Sequence, residues 1–147
     1  MSLSMYLKIP GITGGSTAVG WVGALDVLAF SWGASNPTTV VGGVAGKPSI
    51  QDLSLTSFVD TATSPLIQRM LGGITSTTAV LSIVSPTTAG GTTTDVYAMT
   101  TVLVSSVSLG GSSGEDRLTV NYSLNFGALN FLISGKRATW NLTTNTP

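Results

Sequence analysis

Apolar and polar residues alternate along most of the chain with a period of two, in runs separated by turn signals. Those signals are Pro10-Gly11, Gly14-Gly15, Gly42-Gly43, Gly72-Gly73, Gly90-Gly91 and Gly110-Gly111. The runs between them are rich in Val, Leu, Ile, Thr and aromatic residues. Successive side chains of an extended strand point to opposite faces, so this spacing predicts a small antiparallel β-barrel or sandwich. The expected strands are Met5–Ile9, Ala24–Trp32, Ser49–Phe58, Thr78–Val84, Thr94–Ser108, Arg117–Phe126 and Asn130–Ser134, with Thr139–Thr143 closing the set. In the second of these, Leu28, Phe30 and Trp32 share a large apolar face assigned to the core. Leu25, Val27, Ala29 and Ser31 share the other. It becomes small and weakly polar, which suits a surface that another chain or a cavity can approach.

One segment changes period. In DTATSPLIQRMLGG (Asp60–Gly73), Leu66, Ile67, Met70 and Leu71 form a stripe at helical spacing. Ser64 can cap, Pro65 suits the first helical position, and Gly72 can stop the helix. These residues predict one short flanking helix over about 64–71 whose stripe packs on the barrel. Gly33–Lys47 has no regular period, and a long loop of that kind is usually functional or a partner arm.

Composition changes the picture of the surface. The 147 residues suit one domain, 1–147, with one core. Only 8% of them are charged, against roughly 25% in ordinary domains, while mean hydropathy is +0.42 and formal net charge is zero. Charge keeps monomers apart in solution, so this composition implies an exterior largely covered by copies of the chain or by another partner. The alternative is a neutral monomer coated with Ser and Thr. No apolar run approaches the roughly 20 residues of a spanning helix, so membrane insertion is not expected. The start, MSLSMYLKIPG, lacks the basic and apolar regions of a secretory signal. Six acids balanced by six bases leave no footprint for nucleic acid.

The absence of Cys and His removes disulfides, thiolate nucleophiles, Cys/His zinc sites and every triad with an imidazole base. The carboxylates left are Asp26, Asp52, Asp60, Asp95, Glu115 and Asp116. Asp60 stands where an acid complements a helix dipole. Asp26 and Asp52 fall in strands, and adjacent Glu115 and Asp116 would point apart in an extended chain, a poor pair for glycoside hydrolysis. The Gly/Ser loops lack the Lys and helix start of a phosphate loop. The sequons at Asn121 and Asn141 carry no weight without a signal peptide. No enzyme activity, catalytic residue, cofactor or metal is therefore expected. What stands out is Glu115-Asp116-Arg117, a quarter of all the charges, in a Gly/Ser turn between two strands.

Four stretches carry a family likeness. LDVLAFSWGAS (Leu25–Ser35) and GKPSIQDLSLTSFVDTATSPLI (Gly46–Ile67) resemble the Hcp family of type VI secretion systems. VLVSSVSLGGSSGEDRLTVNYSLNF (Val102–Phe126) is the most specific of them, and TWNLTTN (Thr139–Asn145) is similar to that family's closing Trp-Asn strand. The resemblance implies a β-barrel with one helix, assembling as a hexameric ring. Such rings stack into the inner tube of a contractile injection machine, driven by a sheath, seated on a baseplate and tipped by a spike. Small effector proteins can ride in the lumen. The protein would be cytoplasmic before firing and would leave through the apparatus without a signal peptide.

By matching position, Ala29, Ser31 and Gly33 would line the lumen. The arm, with Val40, Val41 and Val44, would reach a neighbouring subunit or ring. Glu115, Asp116 and Arg117 match the family's Gly-Glu-Asp-Arg stretch, expected at a subunit contact; alternatively, Arg117 only neutralises its neighbours on a solvated turn. GITGGSTAVGWVGA (Gly11–Ala24) departs from the family, whose members usually carry a charged segment with a His there. The readings left open are a carrier or chaperone ring for effectors, and the tube of a phage-like contractile system.

Overall fold

Strand by strand, the alternation of apolar and polar residues becomes an alternation of inside and outside. The structure, a computed structural model, describes residues 3–36, 48–114, 116–144 and 146–147. Its elements run β1 (Ser4–Lys8), β2 (Leu25–Ser31), β3 (Ala34–Ser35), β4 (Ser49–Ile50), β5 (Leu53–Phe58), α1 (Thr63–Gly72), β6 (Thr75–Pro86), β7 (Thr92–Gly110), β8 (Thr119–Ile133) and β9 (Lys136–Asn141). The main sheet has the order β5-β2-β1-β6-β7-β8-β9, every pair antiparallel. Pairing of β5 with β8, from Leu53↔Leu124 to Phe58↔Thr119, closes six strands into a barrel. Beyond that seam β8 changes partner, and Ala128–Ile133 pair with β9.

Leu7, Leu25, Leu53, Leu55, Leu81, Met99, Tyr122 and Leu124 fill the barrel, each almost wholly out of water. Burying such a side chain contributes about 1.5–3 kcal/mol.

The face assignment in β2 needs correction. Leu28, expected in the core, is 42% exposed, while Leu25 and Val27 are buried. The cause is a β-bulge. Val27 pairs with Ser57 and Ala29 with Thr56, so Leu28 is an extra residue that reverses the alternation. After it, Phe30 and Trp32 do turn toward the core, against Tyr97 and Phe131 with ring centroids 5.4 and 5.0 Å apart.

A second phase change occurs in the β7–β8 ladder. Even-numbered residues of β8 point inward as far as Phe126, and odd-numbered ones from Leu129. β7 changes phase at the same level, Met99 to Val102, without losing register. Thr101 there has φ 53, a left-handed conformation that costs a β-branched residue about 1–2 kcal/mol. Gly127 lies across from it, where an added Cβ would stand 3.3 Å from Thr101 Cβ. The missing side chain gives the kink room. The two strands expected at Arg117–Phe126 and Asn130–Ser134 are thus one strand with swapped faces.

The helix starts one residue earlier than expected, and its ends are made differently. Ser64 makes no cap, and Pro65 is the third helical residue rather than the first. Instead Asp60 Oδ1 accepts from the Ala62 N–H at 2.8 Å, and the Asp60 N–H donates to Thr63 Oγ1 at 3.1 Å. The stop is Gly73, not Gly72, with φ 63 and the N–H of Ile74 returning to the Arg69 carbonyl. Leu66 is buried, but Leu71 of the expected packing stripe is 71% exposed. Arg69 fastens the helix to the barrel through Ser76 Oγ and the Pro10 carbonyl.

The expected strand Ser49–Phe58 is two. β4 pairs with β3 in a separate ribbon, and the chain breaks at Gln51–Asp52 before β5 joins the barrel. That ribbon is the root of the expected arm, whose residues 37–47 lie outside the described residues.

Candidate functional site

Because Leu53, Leu55 and Ser57 point into the barrel, Ser54 and Thr56 between them must point out. On β8 the same logic turns Asn121 and Ser123 outward beside buried Val120, Tyr122 and Leu124. The bulge at Leu28 turns Ala29 and Ser31 to that same side, and Ser106 and Ser108 of β7 complete it. These residues line a shallow concavity of about 250 Å³ across β2, β5, β8 and β7. None of its lining side chains is charged.

Hydrogen bonds tie the face together. Thr56 Oγ1 donates to Asn121 Oδ1 at 2.6 Å, and Ser123 Oγ lies 2.6 Å from both Ser105 Oγ and Ser106 Oγ. Beneath them Tyr122 and Ser57 share a buried hydrogen bond of 2.8 Å. Burial pushes the Tyr122 phenol well above its ordinary range, offset in part by that bond and reinforced by Asp60. Hence Tyr122 is a core residue that keeps its proton in the folded chain.

The face also has open sides. β1 covers β2 only over Leu25–Val27, and β6 reaches along β7 only to Leu103. Among the described residues, no strand therefore lies on the outer edge of Ala29–Ser31 or of Val104–Gly110. One face thus combines small uncharged side chains with two unpaired edges.

Of the expected lumen residues, Ala29 and Ser31 belong to this concavity. Gly33 does not; it lies half-buried, its carbonyl accepting from the Gln51 N–H at 3.0 Å. Asp116 and Arg117 precede β8 at the end of the barrel's seam, where Phe58 pairs with Thr119. Arg117 stands over the Phe58 ring, 3.9 Å from guanidinium carbon to ring centroid. Glu115, Val40, Val41 and Val44 lie outside the described residues. Ser54, Thr56, Asn121 and Ser123 were missed as face residues, although each is the polar member of an alternating strand and could have been found by that rule, whereas Ser106 and Ser108 reach the face only through a register shift between Val104 and Ser106.

Near Arg117 a second, larger concavity of about 690 Å³ opens between α1 and the β7–β8 turn, with Val59, Ile67, Leu109 and Leu118 in its walls. Leu109 and Leu118 are each more than half exposed. The Gly11–Ala24 segment folds back over the outer sheet, where Trp21 stacks on Tyr6 at 5.0 Å with Lys8 over its ring. Val19 and Val22 at its tip are exposed.

Three of the carboxylates are held by hydrogen bonds to other parts of the chain. Asp60 also accepts the Gly15 N–H, Asp95 accepts the Ser134 N–H, and Asp52 accepts from Ser105 and Asn125. Among the described residues no group of three or more His, Cys, Asp or Glu could hold a metal ion, and no helix is long and apolar enough to cross a membrane.

The sequence profile of the type VI secretion system effector Hcp matches residues 6–132. The chain belongs to the Hcp family. It is 42% identical over 132 residues to the protein hcp1 of Pseudomonas aeruginosa, an alignment covering 86% of this chain and 80% of that one. A solved structure described as that of a type six secretion system protein is 25% identical and superposes with a TM-score of 0.85, covering 99% of each chain. Hcp1 from Salmonella typhimurium shares the fold with a TM-score of 0.80 at 24% identity, again over 99% of each chain. This Hcp chain is a structural tube protein of type VI secretion, in a family whose members are secreted through that system.

Proposed function

We propose that this Hcp chain acts as one domain that closes with five copies of itself into a ring. Such rings stack as the inner tube of the secretion apparatus and hold small effector proteins against the hydroxyl-lined face. The sheath, spike and baseplate are its other partners. It is cytoplasmic until the apparatus fires and it works as a carrier, not a catalyst.

One observation carries the reading: among the described residues, the four-stranded face β2-β5-β8-β7 has an unpaired edge at each side. Neighbouring strands in it are antiparallel, so β7 runs opposite to β2. The β2 edge of a second copy can therefore add to the β7 edge of the first as an ordinary antiparallel neighbour. Repeating that contact is a heterologous, head-to-tail association, which generates a closed ring when the rotation permits. It also removes two edges that would otherwise invite aggregation. The scarcity of charge supports the same reading, since a surface covered by copies needs little.

Native mass spectrometry and negative-stain microscopy of the full chain test it. Rings of six are the expected result, and a monodisperse monomer over a wide concentration range would sink the reading. Ser31→Arg separates cargo from assembly, because Ser31 lines the concavity. The variant is expected to form rings that no longer retain co-purifying small proteins. Retention equal to wild type would remove the carrier role.

A further inference from the structure

The hydroxyl face borders on one carboxylate that ring closure and cargo binding leave unused. Asp52 stands just before β5, half-buried. Its Oδ2 accepts a hydrogen bond from Ser105 Oγ on β7 at 2.6 Å, and its Oδ1 accepts one from Asn125 Nδ2 on β8 at 2.9 Å. One side chain thus grips two further strands.

Ser105 is no ordinary member of its strand. Val104 pairs with Leu124 and Ser106 with Ser123, so Ser105 is the extra residue of a bulge. A bulge bends its strand and sharpens the local twist. This one falls two residues past Leu103, where β6 stops covering β7. The bend therefore sets the direction in which the open edge of β7 leaves the barrel.

The hydrogens can also be assigned. Ser105 donates to Asp52, so its single hydroxyl hydrogen is spent there. Ser123 must then donate to Ser105, and Ser106 to Ser123, across contacts of 2.6 Å each. Three hydroxyls are polarised in one direction, toward the carboxylate. Without that anchor each can rotate, and the extra residue loses its side-chain tie to the residue that leads into β5.

We infer that Asp52 is a positioning residue for assembly: it holds the β7 bulge so that the open edge, Val104–Gly110, meets the next copy in register. The inference rests on the ring reading given above. Placement, not charge, is the operative property. An amide at this position can still accept from Ser105, and donates to Asn125 once the Asn125 amide turns over. Asp52→Asn therefore preserves both bonds, and Asp52→Ala loses both.

The test uses the full-length chain and two readouts: the concentration of half-assembly, and amide hydrogen exchange of Ser106 and Ser108, which face β8, in the dissociated chain. Asp52→Ala is expected to raise the first and speed the second by about tenfold, the size of losing a hydrogen bond to a charged group. Exchange in β1 and β6 should stay unchanged, and Asp52→Asn should return both readouts close to wild type. Asp52→Ala with wild-type assembly overturns the inference, even with faster exchange. So does Asp52→Asn as impaired as Asp52→Ala, which would make charge the cause. If Asp52→Ala fails to fold, Ser105→Ala takes its place with the same expected directions, and wild-type behaviour there is equally fatal. A wild-type chain that forms no rings sinks the ring reading instead, and exchange then decides whether Asp52 holds the edge.

Discussion

The phenolic oxygen of Tyr122 on β8 and the hydroxyl oxygen of Ser57 on β5 lie 2.8 Å apart, at the seam that closes the barrel. Each residue is only 2% exposed. In such a core a lone hydroxyl would be left without water or partner, so the two polar groups make each other tolerable. Removing one alone is therefore costly. Tyr122→Phe or Ser57→Ala should each lower stability by about 1–3 kcal/mol, whereas the double variant should cost much less than the sum. Urea unfolding of the four proteins checks this.

The same burial gives the seam a pH dependence. The Tyr122 phenol is raised, chiefly by desolvation, so the folded chain keeps its proton where an unfolded tyrosine, near pH 10, gives it up. The unfolded state then binds fewer protons, and stability must fall as pH rises. The contribution is intact below about pH 10 and is lost above it, by up to about 1.4 kcal/mol per pH unit. Tyr97 is raised too, by burial and by Asp95, so the wild-type curve alone is ambiguous. Subtracting the Tyr122→Phe curve isolates this residue. Parallel curves from pH 9 to 11 would refute the assignment.

Leu28 supplies a sharper test of the β2 bulge. As the extra residue, 42% exposed, it should tolerate Leu28→Ser at a cost below about 0.5 kcal/mol, the range of ordinary surface changes. Leu25→Ala, three residues earlier and 1% exposed, should cost about 2–5 kcal/mol. A regular strand with the expected faces would reverse that order. Denaturant midpoints of the two variants decide between them.

Much of the fold was legible because its rule is local. Leu53-Ser54-Leu55-Thr56-Ser57 alternates in sequence and alternates in the barrel, and the stripe Leu66, Met70 is helical in both. What escaped depends on partners distant in the chain. Nothing in LDVLAFSW marks Leu28 as the extra residue, because the bulge is fixed by how β2 meets β5. The kink at Thr101 is equally silent, for it needs the space left by Gly127 on another strand. Local chemistry alone pointed to Ser64 as the cap, but the helix has no side-chain cap, and Asp60 instead shapes the turn that leads into it. At the candidate face, Ala29 and Ser31 are marked both by strand alternation and by the family likeness. Thr56 and Asn121, 65 residues apart, meet only once β5 closes on β8.

The helix stop offers two adjacent glycines with opposite expectations. Gly73 adopts φ 63, a conformation a Cβ makes costly, and nothing else crowds it. Gly73→Ala should therefore destabilise by about 1–2 kcal/mol through the backbone alone. Gly72 is the last helical residue, and an added Cβ would meet only the flexible end of Ile74. Gly72→Ala should be neutral or stabilising by up to about 1 kcal/mol, since alanine has less freedom to lose. Equal losses in thermal unfolding would place the stop elsewhere.

Arg117 now has two possible partners, and they can be separated. Its guanidinium carbon stands 3.9 Å from the centre of the Phe58 ring, on the strand that precedes α1. The contact joins the start of β8 to the end of β5, where Phe58 pairs with Thr119. At an exposed site it is worth about 0.5–1 kcal/mol, and a double-mutant cycle of Arg117→Ala with Phe58→Leu should return that coupling in the dissociated chain. Arg117→Lys should retain only part of it, because an ammonium cannot lie flat on the ring. If the stacking is the whole role, Arg117→Ala and Phe58→Leu will weaken assembly equally, each through the fold. A role at a subunit contact predicts more: Arg117→Glu should raise the assembly concentration well beyond Phe58→Leu, since it adds an acid beside Glu115 and Asp116. Hexamers of Arg117→Glu that persist at wild-type concentration would confine this residue to holding Phe58.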